Sequence, residues 1–522
     1  MRDDLRAELH RVLENNTDVG NGRRLVRLHG HQLKYCERLG GWFVWDGKRW
    51  ARDERKVVQA YAKDTAKTIY EEALCLKDST DRKGMVKWAI STEADARIKA
   101  MVNQACSEPE IITVPSDFDS DPWAFNVRNG TLDLRTGTLH QHDRDSLLTK
   151  LADVAFDADA TAPTWERFLA EVLTAPVASY LQRAVGLSMI GEVREHTLLF
   201  LYGSGANGKT TLLRALQELF GDYGQQADPE LLLMRRGEAH PTGVADLVAS
   251  RLVVTTEVQD GRRLAESQVK SLTGGDRIKA RFMHRDFFEF DPTWTIWMAA
   301  NHKPVVKGTD EGIWRRIRLI PFNVTIATQD QDPDLPAKLK DELPGILNWA
   351  IAGCLEYQRD GLQAPADVLA ATQQYRAQSD VVGLFLEEHT DTGPDLWVES
   401  TDLFKNYVEW CHETGERPLN QRRFGQDMTE RGYERGKSPD RKSRRVTYLG
   451  IALQNGRVKG SETIRTDFSY EPTYEKSEPI LSQGFTTNKH GGFLESPAEG
   501  DDAEYASAER EGMQLETQEL QG

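Results

Sequence analysis

The sequence predicts a multidomain α/β protein built around a P-loop nucleotide-binding core. Three observations predict it. First, Gly203-Ser204-Gly205-Ala206-Asn207-Gly208-Lys209-Thr210-Thr211 fits G-x-x-x-x-G-K-[ST], and it stands between an apolar run, residues 197–202, and a helix-spaced series from Leu212 to Phe220. Second, two further apolar, β-branched runs follow and end in polar groups, Glu257 and Asn301. Third, the 522 residues suffice for about three domains, and segments of different periodicity flank the core on both sides.

Composition is that of a soluble globular chain. No apolar run approaches the ~18 residues of a membrane helix, and the N-terminus lacks the apolar stretch of a secretory signal. The five cysteines are scattered, with no CxxC, which excludes a disulfide framework and a cysteine-type zinc site and points to a reducing, cytoplasmic setting. The net charge of −16 is unevenly spread: from Glu495 onward nine acids stand against Arg510 alone. Local basic clusters therefore decide phosphate contacts more than the total does.

Residues 1–55 form a small N-terminal module. Asn15 to Asp18 and Gly20-Asn21-Gly22 carry turn chemistry. Aromatics around Asp46-Gly47, from Trp42 to Trp50, predict a β-hairpin with a type I′ turn. Residues 56–185 are helical, then β-rich, with Asn-Gly and Thr-Gly turns between short strands at 122–140, and helical again from Trp165. His140 and His142 share a strand face but lack a third ligand, so no metal site is read there.

Residues 186–330 carry the chemistry. Gly203, Gly205, Asn207, Gly208, Lys209, Thr210 and Thr211 are the candidate phosphate-binding residues. Loop amides and the helix N-terminus favour an anion. Lys209 reaches the outer phosphates of ATP, and the Thr210 hydroxyl ligands Mg²⁺. Glu257 closes an apolar strand, as a metal- and water-orienting acid does. Lys270, Arg277, Lys279 and Arg281 surround a glycine turn. Alternation puts the last three on one strand face, where repulsion calls for an opposing anion such as a nucleic-acid backbone. Asn301 ends a third core strand beside the outer phosphate. Arg315 and Arg316 lie on a helix-to-strand turn, where an arginine given to a neighbouring subunit stabilises transition-state charge.

In this order, with T-G-G-D-x-I-x-A-R, N-H-K-P and G-T-D-E-x-I-W-R-R-I, these motifs resemble a superfamily 3 helicase. More narrowly they resemble the phage/plasmid primase-helicase family, akin to the poxvirus-type NTPase, over about residues 15–450. The resemblance implies an AAA+-like core, a hexameric ring with ATP at subunit interfaces, and translocation on single-stranded DNA. It places Lys209, Thr210, Glu257 and Asn301 at the ATP site, Lys270, Lys279 and Arg281 in the DNA-contacting loop, and either Arg315 or Arg316 as the finger. Relatives often carry a second acid beside Glu257; here Asp260 is the nearest. Members with primase activity carry a polymerase-type domain ahead of this region, whereas here the helicase-side segment begins almost at Met1. The resemblance therefore implies no primase active site in this chain, and a separate primase or polymerase as partner where one is needed.

Residues 331–392 read as a helical lid and 393–453 as a winged-helix-like DNA-binding domain. In the latter, Ser400 or Thr401 caps one helix, Arg422 and Arg423 sit on a second, and Lys442 and Arg444 belong to a basic hairpin. Residues 454–522 read as a disordered acidic tail. The function expected is an ATP-dependent replicative helicase acting on single-stranded and forked DNA. The rivals are an initiator or loader that melts DNA without processive unwinding, and a DNA-binding protein with a decayed ATPase.

Overall fold

A computed structural model describes residues 14–234, 242–256, 261–283, 286–306, 311–437 and 445–454. They fall in one compact unit, Met1–Gly456; residues 457–522, with the acidic tail, lie outside the described residues.

The first element among the described residues is helix α1 (Asp18–His29), capped by the Thr17 hydroxyl, which accepts from Gly20 N at 3.0 Å. Gly20 and Gly22 are thus helical, not turn residues. Their role is close packing: a Cβ on Gly20 would lie 2.0 Å from the Asn15 carbonyl oxygen, and one on Gly22 2.9 Å from Gln104 Cβ. Strands β1 (Leu33–Cys36), β2 (Gly41–Trp45) and β3 (Trp50–Arg52) form an antiparallel sheet. The aromatic hairpin is present, but its turn has positive φ at Gly47 and not at its neighbours, so it is not type I′, which needs two left-handed residues. Helices α2 (Val57–Cys75), α3 (Ser79–Thr92) and α4 (Asp95–Ala105) follow. The fully buried Arg24 of α1 donates Nε to Glu72 Oε2 of α2 at 2.9 Å. Strands β4 (Ala124–Val127), β5 (Gly130–Asp133) and β6 (Thr138–His140) form an antiparallel meander.

Helices α5 (Pro163–Val172) and α6 (Ala175–Met189) lead into the central sheet. Its strands are β7 (Leu198–Tyr202), β8 (Gly224–Gln226), β9 (Leu252–Thr256), β12 (Thr295–Ala300) and β13 (Ile317–Pro321). Between them stand α7 (Lys209–Phe220), α8 (Thr242–Ala245), α9 (Glu266–Leu272), the hairpin β10 (Ile278–Ala280) and β11 (Phe288–Phe290), and α10 (Glu311–Trp314). The order across the sheet is β13-β7-β12-β9-β8, every neighbouring pair parallel. Both faces are buried, which is why its strands read as continuous apolar runs. Leu199, Leu201, Val254 and Trp297 face one core with α5, α6 and α7. Leu198, Phe200, Val253 and Met298 face another.

Helices α11 (Leu335–Asp341) and α12 (Leu343–Asp360) pack back on this core, α12 against α6. There a Cβ on Gly186 would lie 2.1 Å from Cys354 N, and one on Gly353 2.1 Å from Gln182 O. Gly186→Ala is therefore expected to destabilise the core by ~2 kcal/mol or more, measured as a lower denaturation midpoint.

Helix α13 (Ala366–Ser379) follows. The last module is α14 (Val381–His389), β14 (Thr390–Glu399), α15 (Ser400–Thr414), α16 (Gln421–Glu430), β15 (Arg435–Lys437) and β16 (Val446–Leu453). Its sheet runs β14-β16-β15. It has its own core, including Phe385, Leu403, Tyr407, Phe424 and Ile451. The module thus begins near residue 381, not 393: Val382, Phe385 and Leu386 of α14 belong to its core. Neither Ser400 nor Thr401 caps α15. Both lie inside the helix, and Glu399 holds the cap position.

Candidate nucleotide site and nucleic-acid surfaces

The loop between β7 and α7 takes three left-handed residues, Gly205 (φ 106°), Ala206 (φ 47°) and Gly208 (φ 85°). Such a backbone turns successive N–H groups toward one concavity, an anion nest at a helix N-terminus. Ala206 pays for a conformation that glycine takes freely, and the Ile326 N–H, donating to Ala206 O at 2.7 Å, helps hold it. Gly203 admits no side chain: a Cβ would lie 2.2 Å from Asn207 Nδ2 and 2.3 Å from Phe322 O.

Lys209 is 5% exposed. Its Nζ donates to Gly203 O at 2.8 Å, Asn207 Oδ1 at 2.9 Å and Asn301 Oδ1 at 3.1 Å. Burial pushes its pKa down. Asn207 is fixed in turn by donating Nδ2 to Phe322 O at 3.2 Å. Because β12 lies beside β7, the P-loop and Asn301 at the end of β12 meet in space although 92 residues separate Lys209 from Asn301. Thr210 is exposed at the start of α7 and Thr211 is half-buried beside it. A left-handed nest, a buried ammonium held on three oxygens and an exposed hydroxyl suit the phosphates of a nucleotide and their magnesium ion. Glu257, with Asp260, lies outside the described residues; β9 ends one residue earlier, at Thr256.

The two arginines of the Ile-Trp-Arg-Arg turn part company. Arg316 is 8% exposed; it donates Nε to Thr273 Oγ1 at 3.2 Å and Nη1 to Gly312 O at 2.6 Å. Arg315 is exposed. Both stand at the amino end of the sheet: Leu198 N, at the start of β7, donates to Arg316 O at 2.7 Å. The P-loop leaves the other end of β7. The strand itself, roughly 13 Å for four steps of ~3.3 Å, separates Arg315 from the P-loop of its own chain.

On β10 and β11, Lys279 pairs in register with Glu289. Lys279 and Arg281 flank Phe287, at 5.2 Å and 4.8 Å from its ring centre. Phe287 is 46% exposed and Met283 71% exposed. The expected triad of bare cations is thinner than its sequence, because Arg277 pairs with Asp291 at 3.2 Å. Lys270 is half-buried on α9 and not on the hairpin. Phe287 escaped the sequence reading, which counted charges only; the run Phe287-Phe288-Glu289-Phe290 was its signal.

In the C-terminal module, Arg422 and Arg423 are exposed in the first turn of α16, which Asn420 caps by accepting from Arg423 N at 2.9 Å. Arg435 lies 5.6 Å from the Tyr448 ring centre. Lys442 and Arg444 lie outside the described residues. Among the described residues no cluster of His, Cys, Asp or Glu could hold a metal ion, and no helix is long and apolar enough to cross a membrane.

Three family models match the chain: "D5 N terminal like" over residues 22–174, a family of unknown function over 201–316, and "Poxvirus D5 protein-like" over 377–447. A provisionally named helicase of Acanthamoeba polyphaga mimivirus is 26% identical over 56% of this chain and 33% of its own. A provisionally named helicase of Frog virus 3 is 25% identical over 46% of this chain and 27% of its own. A provisionally named primase of African swine fever virus is 22% identical over 56% of this chain and 33% of its own. The chain thus spans about a third of the length of these relatives. Among solved structures, the apo C-terminal region of NrS-1 covers 80% of this chain and 96% of its own at 10% identity, with a TM-score of 0.44. The resemblance to the superfamily 3 primase-helicases carried by the motifs is borne out by the family models and the viral relatives.

Proposed function

We propose that this chain is an ATP-dependent DNA helicase of replicative type that works as a ring. The observation that carries the ring is the position of Arg315. It is exposed at the opposite end of the sheet from its own P-loop, so it serves a nucleotide only if a neighbouring copy presents one. Counted along the chain, the strand order is 5-1-4-3-2, which supports an AAA+-like core whose subunits share their sites in this way.

Gly203, Gly205, Asn207, Gly208, Lys209, Thr210 and Thr211 would hold ATP and Mg²⁺, with Glu257 completing the metal side. ATP supplies the free energy of phosphoryl transfer to water. The chain's own groups do the rest. The loop amides and Lys209 neutralise phosphate charge. Asn301 reports on the outer phosphate through the oxygen that now holds Lys209. Arg315 stabilises charge from across the interface. The β10–β11 hairpin tracks a single strand, with Lys279 and Arg281 on the backbone and Phe287 stacking on bases. The topology α14-β14-α15-α16-β15-β16 supports a winged-helix reading, with α16 presenting Arg422 and Arg423 to duplex DNA.

Strand displacement on forked DNA tests this reading. ATP-dependent unwinding by the full chain, lost in Lys209→Ala, is expected; hydrolysis without unwinding would favour the initiator. Phe287→Ala is expected to weaken single-strand binding about tenfold, within the ~1–3 kcal/mol of one stacked base, and to leave nucleotide affinity unchanged. Fluorescence anisotropy measures both.

A further inference from the structure

Helix α13 touches the P-loop strand, the segment after Asn301 and the helix before Arg315, and then runs into the C-terminal module. Its Thr372 Oγ1 accepts from the Leu319 N–H of β13 at 3.0 Å, closing the open edge of the central sheet. Tyr375 is 3% exposed. Its ring lies 6.1 Å from that of Phe200 in the P-loop strand and meets Trp314, beside Arg315, edge-on at 5.3 Å. Its hydroxyl donates to Pro304 O, on the segment that follows Asn301. On the same segment Lys303 donates Nζ to Gln378 Oε1 at 3.0 Å. That ammonium lies 4.6 Å from the ring centre of Tyr202, the residue before the P-loop. Arg376 pairs with Glu311 of α10 at 2.8 Å. The P-loop strand, the Asn301 segment and the Arg315 turn therefore share one helix.

The other end of α13 is equally constrained. Asp380 alone separates it from α14. Its Oδ1 accepts from Gly383 N at 2.9 Å, capping α14, and from the Arg431 guanidinium. Arg431 ends α16, the helix that carries Arg422 and Arg423, and donates to Asp427 of that helix as well. A Cβ on Gly383 would lie 2.2 Å from the Asp380 carboxylate. A one-residue join, bonded on both sides, cannot take up motion as a flexible linker does.

We propose that α13 and the Asp380–Arg431 joint couple the nucleotide site to the C-terminal module. The nucleotide bound at the P-loop sets how tightly the module holds duplex DNA. By reciprocity, duplex DNA sets nucleotide affinity by the same factor. A phosphate that draws Lys209 away from Asn301 frees the end of β12. The segment that moves with it carries Lys303 and Pro304, both tied to α13. Packed contacts of this kind shift between discrete arrangements rather than yield smoothly. The coupling rests on the functional reading above, both for the P-loop and for the DNA-binding module.

The test measures binding of a fluorescein-labelled duplex to the full chain by anisotropy, with a saturating nonhydrolysable ATP analogue or with ADP. The two affinities are expected to differ by at least about fivefold, the lower end of ordinary couplings. In Asp380→Ala the ratio is expected to fall to within about twofold of one, with each ligand still bound. Arg431→Gln, which leaves the Asp380–Gly383 cap in place, should do the same and serves if the first variant misfolds. Equal affinities in the native chain, or a ratio unchanged in both variants, would overturn the coupling and leave the functional reading standing. A native chain that binds no nucleotide or no duplex would sink the functional reading, and the coupling with it.

Discussion

Lys209→Ala is expected to lower ATP hydrolysis by ~10²–10³-fold or more, the cost of removing one preorganised charge donor, with little loss of stability. The ammonium bonds to Gly203 O, Asn207 Oδ1 and Asn301 Oδ1, and in the variant water entering the vacated nucleotide cleft can serve those oxygens. Lys209→Arg should fail as well, because a planar fork does not replace a compact ammonium in that space. Steady-state phosphate release decides: a variant that keeps more than a tenth of native turnover refutes the assignment.

The neighbouring arginines should behave as opposites. Arg315→Ala is expected to cost ~10³-fold or more in hydrolysis and to leave the denaturation midpoint where it was, since the side chain is exposed. Arg316→Ala should instead lower stability by ~1–3 kcal/mol, because Thr273 Oγ1 and Gly312 O lose a buried donor. Mixing gives the sharper result. Arg315→Ala subunits keep a working P-loop and Lys209→Ala subunits keep a working Arg315. Each variant should be inactive alone and regain turnover in mixed assemblies. No recovery on mixing would mean that Arg315 does not act across an interface.

The P-loop was legible because phosphate chemistry admits few residue types at its positions, and its strand and helix follow from simple periodicity. The contact between Lys209 and Asn301 was legible only as a shared role. That they touch depends on β12 lying next to β7, which strand order decides and local sequence does not. Choosing between Arg315 and Arg316 needed the turn after α10, where one residue of rotation exchanges core for solvent. Gly20 and Gly22 misled because glycine marks close approach as well as turns. Strand β14 was missed because Gly393 and Pro394 break its alternation, with a register shift between Thr392 and Trp397; it is an edge strand, where such residues are tolerated.

One buried side chain bears on how this protein can be dissected. Arg251, at the foot of β9, is 2% exposed. It donates Nη2 to Ala124 O of the meander at 2.6 Å and lies 4.6 Å from the Tyr223 ring centre and 5.6 Å from that of Phe125. The guanidinium is thus solvated by a strand that lies more than a hundred residues before it in the chain. A fragment begun at residue 186 would retain the cation and lose the Ala124 carbonyl and the Phe125 ring, opening a charged hole under the central sheet. A fragment meant to keep the P-loop core folded is therefore expected to need a start upstream of Ala124, whatever the motifs alone suggest about where to cut; a lower denaturation midpoint of a fragment begun at residue 186 would show it.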